Sequence, residues 1–398
     1  MRILMISWEY PPHLAGGLGR HVAELAPVLA QQGIDVHVVT PEFARQDLPV
    51  EVENNVTVHR VYVPILNAEG DIYSRAIATN QVLENYLSQL GAKGERYDLI
   101  HTHDWLTSFT AIALKKTWDC PLVVTIHATE RGRFRGHING HLQWVIDQAE
   151  HTLINEAWKV IVCSRYMFNE VQYFFNTPVS KLAIVPNGVN IADLRDGHNQ
   201  EDLVTFRRRY AASQDAIIFT VSRLVYEKGI HLLVRAAPQI LTEFPQTRIV
   251  IAGKGPEAEN LKRQVEHLGI ADRVNFIGFV SDKERNQLFQ IASCAVFPSL
   301  YEPFGIVALE AMALGCPVVV SDVGGLSEVV THTETGVTIL PDNPESVAWG
   351  VLHVLTHPDW AQRYAAKALQ SVENDFNWPR VARLTVKVYE EVLKRYTA

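Results

Sequence analysis

The sequence predicts an α/β protein built twice over, two doubly wound parallel-sheet domains in succession along 398 residues. Three observations carry the prediction. Short β-branched runs alternate with helix-length amphipathic segments from end to end. The runs are almost wholly apolar rather than alternating, as strands covered on both faces by helices must be. A single turn-rich break leaves halves of about 190 residues, a comfortable size for such a domain.

In the first half, strands are expected at Arg2–Ser7, Asp35–Thr40, Thr57–Val63, Asp98–Thr102, Leu122–His127, Lys159–Ser164 and Lys181–Val185. In the second they are expected at Ala216–Ser222, Arg248–Gly253, Arg273–Gly278, Cys294–Pro298, Pro317–Ser321 and Gly336–Leu340. Amphipathic stretches such as His21–Gln32 and Ile230–Phe244 supply the crossovers that parallel strands require. The break is Pro186-Asn187-Gly188-Val189-Asn190, followed by the polar stretch Asp193–Asp202, which puts the expected domains at 1–190 and 191–375. Beyond them, Trp378–Tyr396 spaces Val381, Leu384, Val388, Val392 and Tyr396 at near-helical intervals. Two such domains facing each other would hold ligands in a cleft at the carboxyl ends of their strands.

Charge and composition narrow the function. The balance of 36 Lys+Arg against 44 Asp+Glu gives −8, which argues against a general nucleic-acid binder. Hydrophobic residues at 47% and charged residues at 20% exclude wholesale disorder. No run of about 18 apolar residues is present to span a bilayer, and Ile3–Ile6 is too short for the core of an export signal. Cys120, Cys163, Cys294 and Cys316 lie far apart with no CxxC pair. Neither a disulfide framework nor a structural zinc site is expected, and a reducing cytoplasm is the expected compartment.

The chemistry-bearing residues fall just after predicted strands. Gly16 and Gly17 precede a helix, where backbone N–H groups can approach a phosphate, although a tight strand-to-helix turn explains them equally. Arg223 and Lys228 follow the first strand of the second half. A forked guanidinium and a compact ammonium together suit a diphosphate leaving group, and solvated loop cations are the competing explanation. Glu302 stands before an apolar helix and Glu310 inside it, among Ala308, Leu309, Ala311, Met312 and Ala313, where a carboxylate needs a partner. Fixed carboxylates hydrogen-bond vicinal hydroxyls well, and the helix start at Gly305 offers N–H groups to phosphate. Gly253-Lys254-Gly255-Pro256-Glu257-Ala258 imitates a dinucleotide fingerprint, but the next strand ends in Phe279-Val280 rather than in an acidic residue, which weighs against NAD. His101 with His103 and His137 with His141 could each chelate, yet neither pair has a third ligand at recognisable spacing, so no metal is expected. His103 and Asp104 are expected to close a strand and frame an acceptor. The basic loop holding Arg131 and Arg133 could grip a phosphorylated or acidic acceptor, or be a solvated loop. Trp144 could stack on a sugar or pack in the core.

Five features in order, Gly16-Gly17-Leu18, His101-Thr102-His103-Asp104-Trp105, Thr125-Ile126-His127, Arg223 with Lys228, and Glu302 with Glu310, give the chain its family likeness. It resembles the retaining, two-domain glycosyltransferases of family four, especially bacterial and archaeal glycogen synthases. The resemblance implies a GT-B fold, a nucleotide-sugar donor, a carbohydrate acceptor and no required metal or other cofactor. It implies that His127, Arg223, Lys228 and Glu302 form the catalytic set. Arg223 and Lys228 would hold the diphosphate, Glu302 would contact the donor sugar, and His127 would lie beside the transferring sugar. Further donor contacts would come from Gly16, Gly17, Gly253, Val280, Phe304, Gly305, Ile306 and Glu310, the last on the ribose. It also implies that the segment 376–398 returns to the first domain. One departure is Leu14, where many glycogen synthases have lysine. An α-glucan acceptor fits the resemblance; a phosphosugar, as in sucrose-phosphate synthases, or a lipid or polyol acceptor are the alternatives, and an NAD-dependent oxidoreductase is the alternative of another class.

Overall fold

A computed structural model describes residues 1–14, 16–42, 50–64, 70–195 and 200–396. The chain forms two compact units, Met1–Asn187 with Trp378–Ala398, and Gly188–Asn377.

The first unit is built on eight strands: β1 (Arg2–Ile6), β2 (Asp35–Glu42), β3 (Val50–Glu53), β4 (Val56–Tyr62), β5 (Leu99–His103), β6 (Leu122–Ile126), β7 (Lys159–Val162) and β8 (Leu182–Ile184). Their order is β3-β4-β2-β1-β5-β6-β7-β8. All neighbours are parallel except β3 and β4. Strand β3 is an addition to the sequence expectation. Its Val-Glu-Val-Glu alternation leaves one face exposed, so it lacks the apolar run of a strand covered on both sides. Asn54 and Asn55, at φ +50 and +64, make the tight turn that pairs it antiparallel with β4.

The second unit holds β9 (Ala216–Val221), β10 (Thr247–Ala252), β11 (Val274–Gly278), β12 (Cys294–Phe297), β13 (Val318–Ser321) and β14 (Val337–Ile339). All are parallel, in the order β11-β10-β9-β12-β13-β14. The third, second and first strands of this unit are thus followed by its fourth, fifth and sixth, the doubly wound order of dinucleotide-binding sheets. The order reverses between β9 and β12, and in the first unit between β1 and β5. Helices leave opposite faces of the sheet at such a reversal and open a crevice at the strands' carboxyl ends, where ligands bind.

Helices cover both sheets. The helix Gly17–Gln31 buries Val22, Leu25, Ala26 and Leu29 against Ile3 and Met5 of β1. The helix Trp378–Tyr396 joins the same core through Trp378, Val381, Ala382, Tyr389 and Val392. Each fully buried Val or Leu among them stabilises the fold by roughly 1.5–3 kcal/mol. In the second unit, the helices Ile230–Glu243 and Pro344–Thr356 pack over Ile218, Ile249, Ile251, Val296 and Val319. The four cysteines are buried and none is in a disulfide. No helix among the described residues is long and apolar enough to cross a membrane.

Candidate active site

In the first unit, the end of β1 leads through Ser7–Leu14 to the helix opened by Gly17. Gly16 is extended at φ −159, and its N–H donates to Glu9 Oε2 at 3.0 Å. This gives the Gly16 amide an internal partner. With a carboxylate already on it, an anion arriving at that N–H must displace Glu9.

Beside β1, the end of β5 carries His103 and Asp104, and β6 runs into His127. Asp104 sits at φ +55, ψ −178, a conformation that almost only glycine adopts without strain. Two bonds hold it there: its own N–H donates to Thr125 O at 2.9 Å, and its Oδ1 accepts the His127 N–H at 2.7 Å. Backbone strain held this way fixes where the His127 imidazole stands. Burial pushes the Asp104 carboxyl up to about 6.

Four imidazoles pack around that point. His103 Nδ1 lies 3.2 Å from His127 Nε2, with the two rings within 21° of coplanar. His21, from the helix Gly17–Gln31, meets His127 edge-on at 4.8 Å and bonds Asn187 Oδ1 through Nδ1 at 2.7 Å. His101 packs against His103 with ring centroids 4.3 Å apart, tilted by 36°, with Tyr389 Oη on its Nδ1 at 2.7 Å and Thr125 Oγ1 on its Nε2 at 2.8 Å. Burial lowers His127 to about 4 and His21 to about 3, and holds His101 and His103 well below the usual histidine range, so all four are neutral at pH 7.

This arrangement bears on two sequence expectations. His103 is 0% exposed and Asp104 is buried, and both stand behind His127 rather than on an open surface. His21, His103 and His127 also form the one group among the described residues that could hold a metal, with ligand atoms within 4.8 Å of one another. Tetrahedral zinc at 2.0–2.1 Å sets its nitrogens about 3.3 Å apart, so the set would have to contract to hold an ion. Sequence spacing did not reveal His21, because packing rather than a shared strand brings it to the others.

The loop after His127 is a single helical turn, Glu130–Arg133, capped by Thr129 Oγ1 accepting the Gly132 N–H. Arg131 donates from Nε and Nη2 to the two oxygens of Asp147 at 2.6 and 2.9 Å, and Arg133 reaches Glu130 Oε2 at 3.4 Å. The expected acceptor clamp is therefore engaged with internal carboxylates. Trp144 is 52% exposed and stacks on His141, so it is not a core residue. A pocket of about 550 Å³ lies nearby, lined by Arg131, Arg135, Gly136, His137, Tyr173 and Phe174.

In the second unit, the loop after β9 carries Arg223 and the short turn Tyr226–Lys228; the loop after β12 carries Ser299 and Glu302. The loops are laced together by Leu300 N–H to Glu227 O at 2.8 Å. Lys228 Nζ lies 2.8 Å from Glu302 Oε2, with Ser299 Oγ 3.3 Å from the same oxygen. Two residues assigned separate tasks from the sequence thus form one ion pair at the switch point. Arg223 is 61% exposed, and Glu227 is 3.8 Å away.

Gly305, at φ +103, starts the helix Ile306–Ala313, and no side chain caps that end. Glu310, inside that helix, is buried and paired with Arg285 Nη2 at 3.4 Å. Arg285 is the partner a buried carboxylate needs, and it was missed because it comes from the separate helix Asp282–Ile291. A carboxylate accepts about four hydrogen bonds, so the Arg285 pair is compatible with a further partner on Glu310.

Three donor assignments change character. Phe304 is buried against Phe376 at 6.0 Å and can offer only backbone, with Ile306 following as the first helical residue. Val280 is buried, while its neighbour Phe279 is 74% exposed. Gly253, at φ +126, is required by packing: a Cβ there would overlap the carbonyl oxygen of Ser222, which holds the Arg223 loop. Gly253→Ala is expected to destabilise the second unit by more than about 1 kcal/mol, read as a lower Tm in calorimetry. An unchanged Tm would mean that the backbone at 253 is not in this conformation.

Comparison with known proteins places these motifs. The family described as Glycosyltransferase Family 4 matches residues 15–193, and that described as Glycosyl transferases group 1 matches residues 205–371. The chain is 39% identical to an uncharacterized glycosyltransferase of Methanocaldococcus jannaschii, over 98% of both chains. It is 36% identical to the glycogen synthase of Mycobacterium tuberculosis, covering 98% of this chain and 94% of that one. Among solved structures, the sucrose-phosphate synthase of Thermosynechococcus elongatus superposes with a TM-score of 0.84 at 25% identity, over 99% of both chains. With matches along nearly its whole length, the chain belongs to glycosyltransferase family four and has the GT-B fold.

Proposed function

We propose that this glycosyltransferase is a retaining hexosyltransferase that moves a glucosyl unit from a nucleotide diphosphate sugar to an α-glucan. The observation that carries the proposal is the Lys228–Glu302 pair with Arg223 at the β9/β12 switch point. A cation and a carboxylate held together suit a bound diphosphate and the hydroxyls of the sugar attached to it. In this reading Arg223 and Lys228 neutralise the charge that grows on the diphosphate as the anomeric C–O bond breaks. The uncapped end of the helix at Gly305 adds backbone N–H groups. Glu302 orients the sugar, Glu310 holds the ribose, and His127 lies beside the transferring unit. The acceptor hydroxyl oxygen bonds the anomeric carbon on the face the diphosphate leaves, and its proton passes to a departing phosphate oxygen. No metal takes part.

The glycogen synthase relative supports the glucan acceptor. A phosphosugar acceptor, suggested by the sucrose-phosphate synthase likeness, is the weaker reading, since Arg131 and Arg133 are engaged with Asp147 and Glu130. The test is nucleotide diphosphate release from ADP-, UDP- and GDP-glucose with maltodextrins, fructose 6-phosphate and inositol phosphate as acceptors, with and without EDTA. Release that depends on maltodextrin and ignores EDTA supports the proposal; release only with a phosphorylated acceptor overturns the glucan assignment. Glu310→Gln is expected to weaken nucleotide binding about tenfold, the loss of one charge-assisted hydrogen bond. An unchanged Kd in titration calorimetry would remove its ribose role.

A further inference from the structure

We propose that His103 is a positioning residue that locks His127 in the tautomer carrying its proton on Nδ1, so that His127 meets its substrate as a hydrogen-bond donor from that atom. The proposal rests on the reading that His127 lies beside the transferring sugar, and adds which atom acts and what fixes it.

The argument is one of proton accounting. The 3.2 Å contact between His103 Nδ1 and His127 Nε2 can hold one proton, donated by one ring to the lone pair of the other. Were His127 the donor, His103 would carry its own proton on Nε2. That nitrogen is buried and has no partner among the described residues. The neighbouring ring, His101, has both nitrogens engaged, with Tyr389 and Thr125. A buried N–H with no acceptor is among the rarest features of folded proteins. His103 therefore donates from Nδ1 and leaves Nε2 bare, and His127 accepts at Nε2 and carries its proton on Nδ1.

Around this contact the His127 ring has little freedom. Its backbone N–H is held by Asp104 Oδ1, and His21 packs edge-on against it. His21 is in a defined tautomer by the same accounting, since Asn187 Oδ1 can only accept. His127 is the partly exposed member of the set, and its Nδ1 has no bond to any described residue. The substrate-facing group is thus an N–H. It can donate to a sugar hydroxyl or ring oxygen and cannot take up the acceptor's proton, which leaves that proton to the departing phosphate. Burial keeps the ring from gaining a second proton near neutrality.

The direct test needs no substrate. In protein labelled with ¹⁵N-histidine at pH 7.5, two-bond ¹⁵N–¹H correlation reports the tautomer of each ring, with His127→Asn assigning the signal. The expected spectrum shows His127 protonated on Nδ1 and bare on Nε2; protonation on Nε2 overturns the proposal. His103→Asn keeps an amide donor near the Nδ1 position, whereas His103→Leu removes it. His103→Leu is expected to give mixed His127 tautomers and about a tenfold loss in kcat with KM for the nucleotide sugar unchanged, and His103→Asn to recover most of that kcat. Equal losses in both variants with the His127 tautomer unaltered would make His103 merely structural. Zinc that raises the Tm of the wild type but not of His103→Asn would also overturn the proposal, by making the bare nitrogens metal ligands. Should the protein fail to transfer hexose at all, the functional reading falls while the spectrum still decides the tautomer.

Discussion

Lys228→Ala is expected to lower kcat by 10²–10³, the order of effect that follows removal of a group stabilising transition-state charge. On the proposed function, two changes act together. The diphosphate loses a cation while its negative charge is growing, and Glu302 loses the ammonium 2.8 Å away that now neutralises it. The carboxylate left behind, with only Ser299 Oγ nearby at 3.3 Å, faces the incoming diphosphate as a like charge. Arg223→Ala removes a cation without exposing a carboxylate in that way, because Arg223 is mostly solvated. Its effect is expected to be the smaller of the two. Lys228 and Glu302 are only 19% and 18% exposed, so Lys228→Ala also leaves a largely buried carboxylate without its cation, and its Tm is expected to fall. Steady-state nucleotide diphosphate release checks the prediction. The double variant Lys228→Ala/Glu302→Gln separates loss of the cation from gain of repulsion. Turnover near the wild-type value in Lys228→Ala would remove the diphosphate assignment.

The first unit is expected to lose thermal stability as pH falls from 6.5 towards 4, while the second unit holds. Burial lowers His21 to about 3 and His59 and His127 to about 4, and places His101 and His103 well below their usual range. A lowered pKa means the unfolded chain binds protons that the folded chain refuses. The stability contributed is therefore full above about 6.5 and is lost as pH falls towards the folded value. By pH 5, each such imidazole has given up about 2 kcal/mol, at 1.36 kcal/mol per unit. For His21, His59 and His127 together this is a Tm shift on the order of 10 °C in a unit of this size. Asp104, raised to about 6, and Glu150, raised by burial, work in the opposite sense and gain stability as pH falls, but the imidazoles outnumber them. In the second unit, burial lowers His353. Calorimetry between pH 7.5 and 5, with hydrogen exchange to assign each transition, tests this. A first-unit transition that does not move would mean these imidazoles are solvated.

The strands and the loops that bear the chemistry were legible in the sequence for one reason. In a parallel sheet, every functional loop follows an apolar run, so the position of Arg223 or Glu302 relative to a strand end is a local property. What each side chain pairs with is not local. Glu9 over Gly16, Asp147 on Arg131, Arg285 on Glu310 and the burial of His103 each depend on elements far apart in the chain. Residue type and spacing therefore located the switch points but not the protein partners that the fold gives His103 and Arg131. His21 has no motif of its own. Its place beside His127 follows from one helical turn after Gly17, which only the packed structure shows.

The return of the helix Trp378–Tyr396 to the first unit sets an order of events during synthesis. Residues up to Asn187 leave the ribosome long before this helix, and the whole of the second unit is made in between. Until then, Ile3, Met5 and Leu25 lack the covering supplied by Val381, Ala382 and Tyr389, and His101 lacks its Tyr389 hydroxyl. Nascent chains with apolar surface uncovered are open to aggregation. The half that is translated first is thus the half that matures last, and its imidazole cluster is complete only when the final helix has docked.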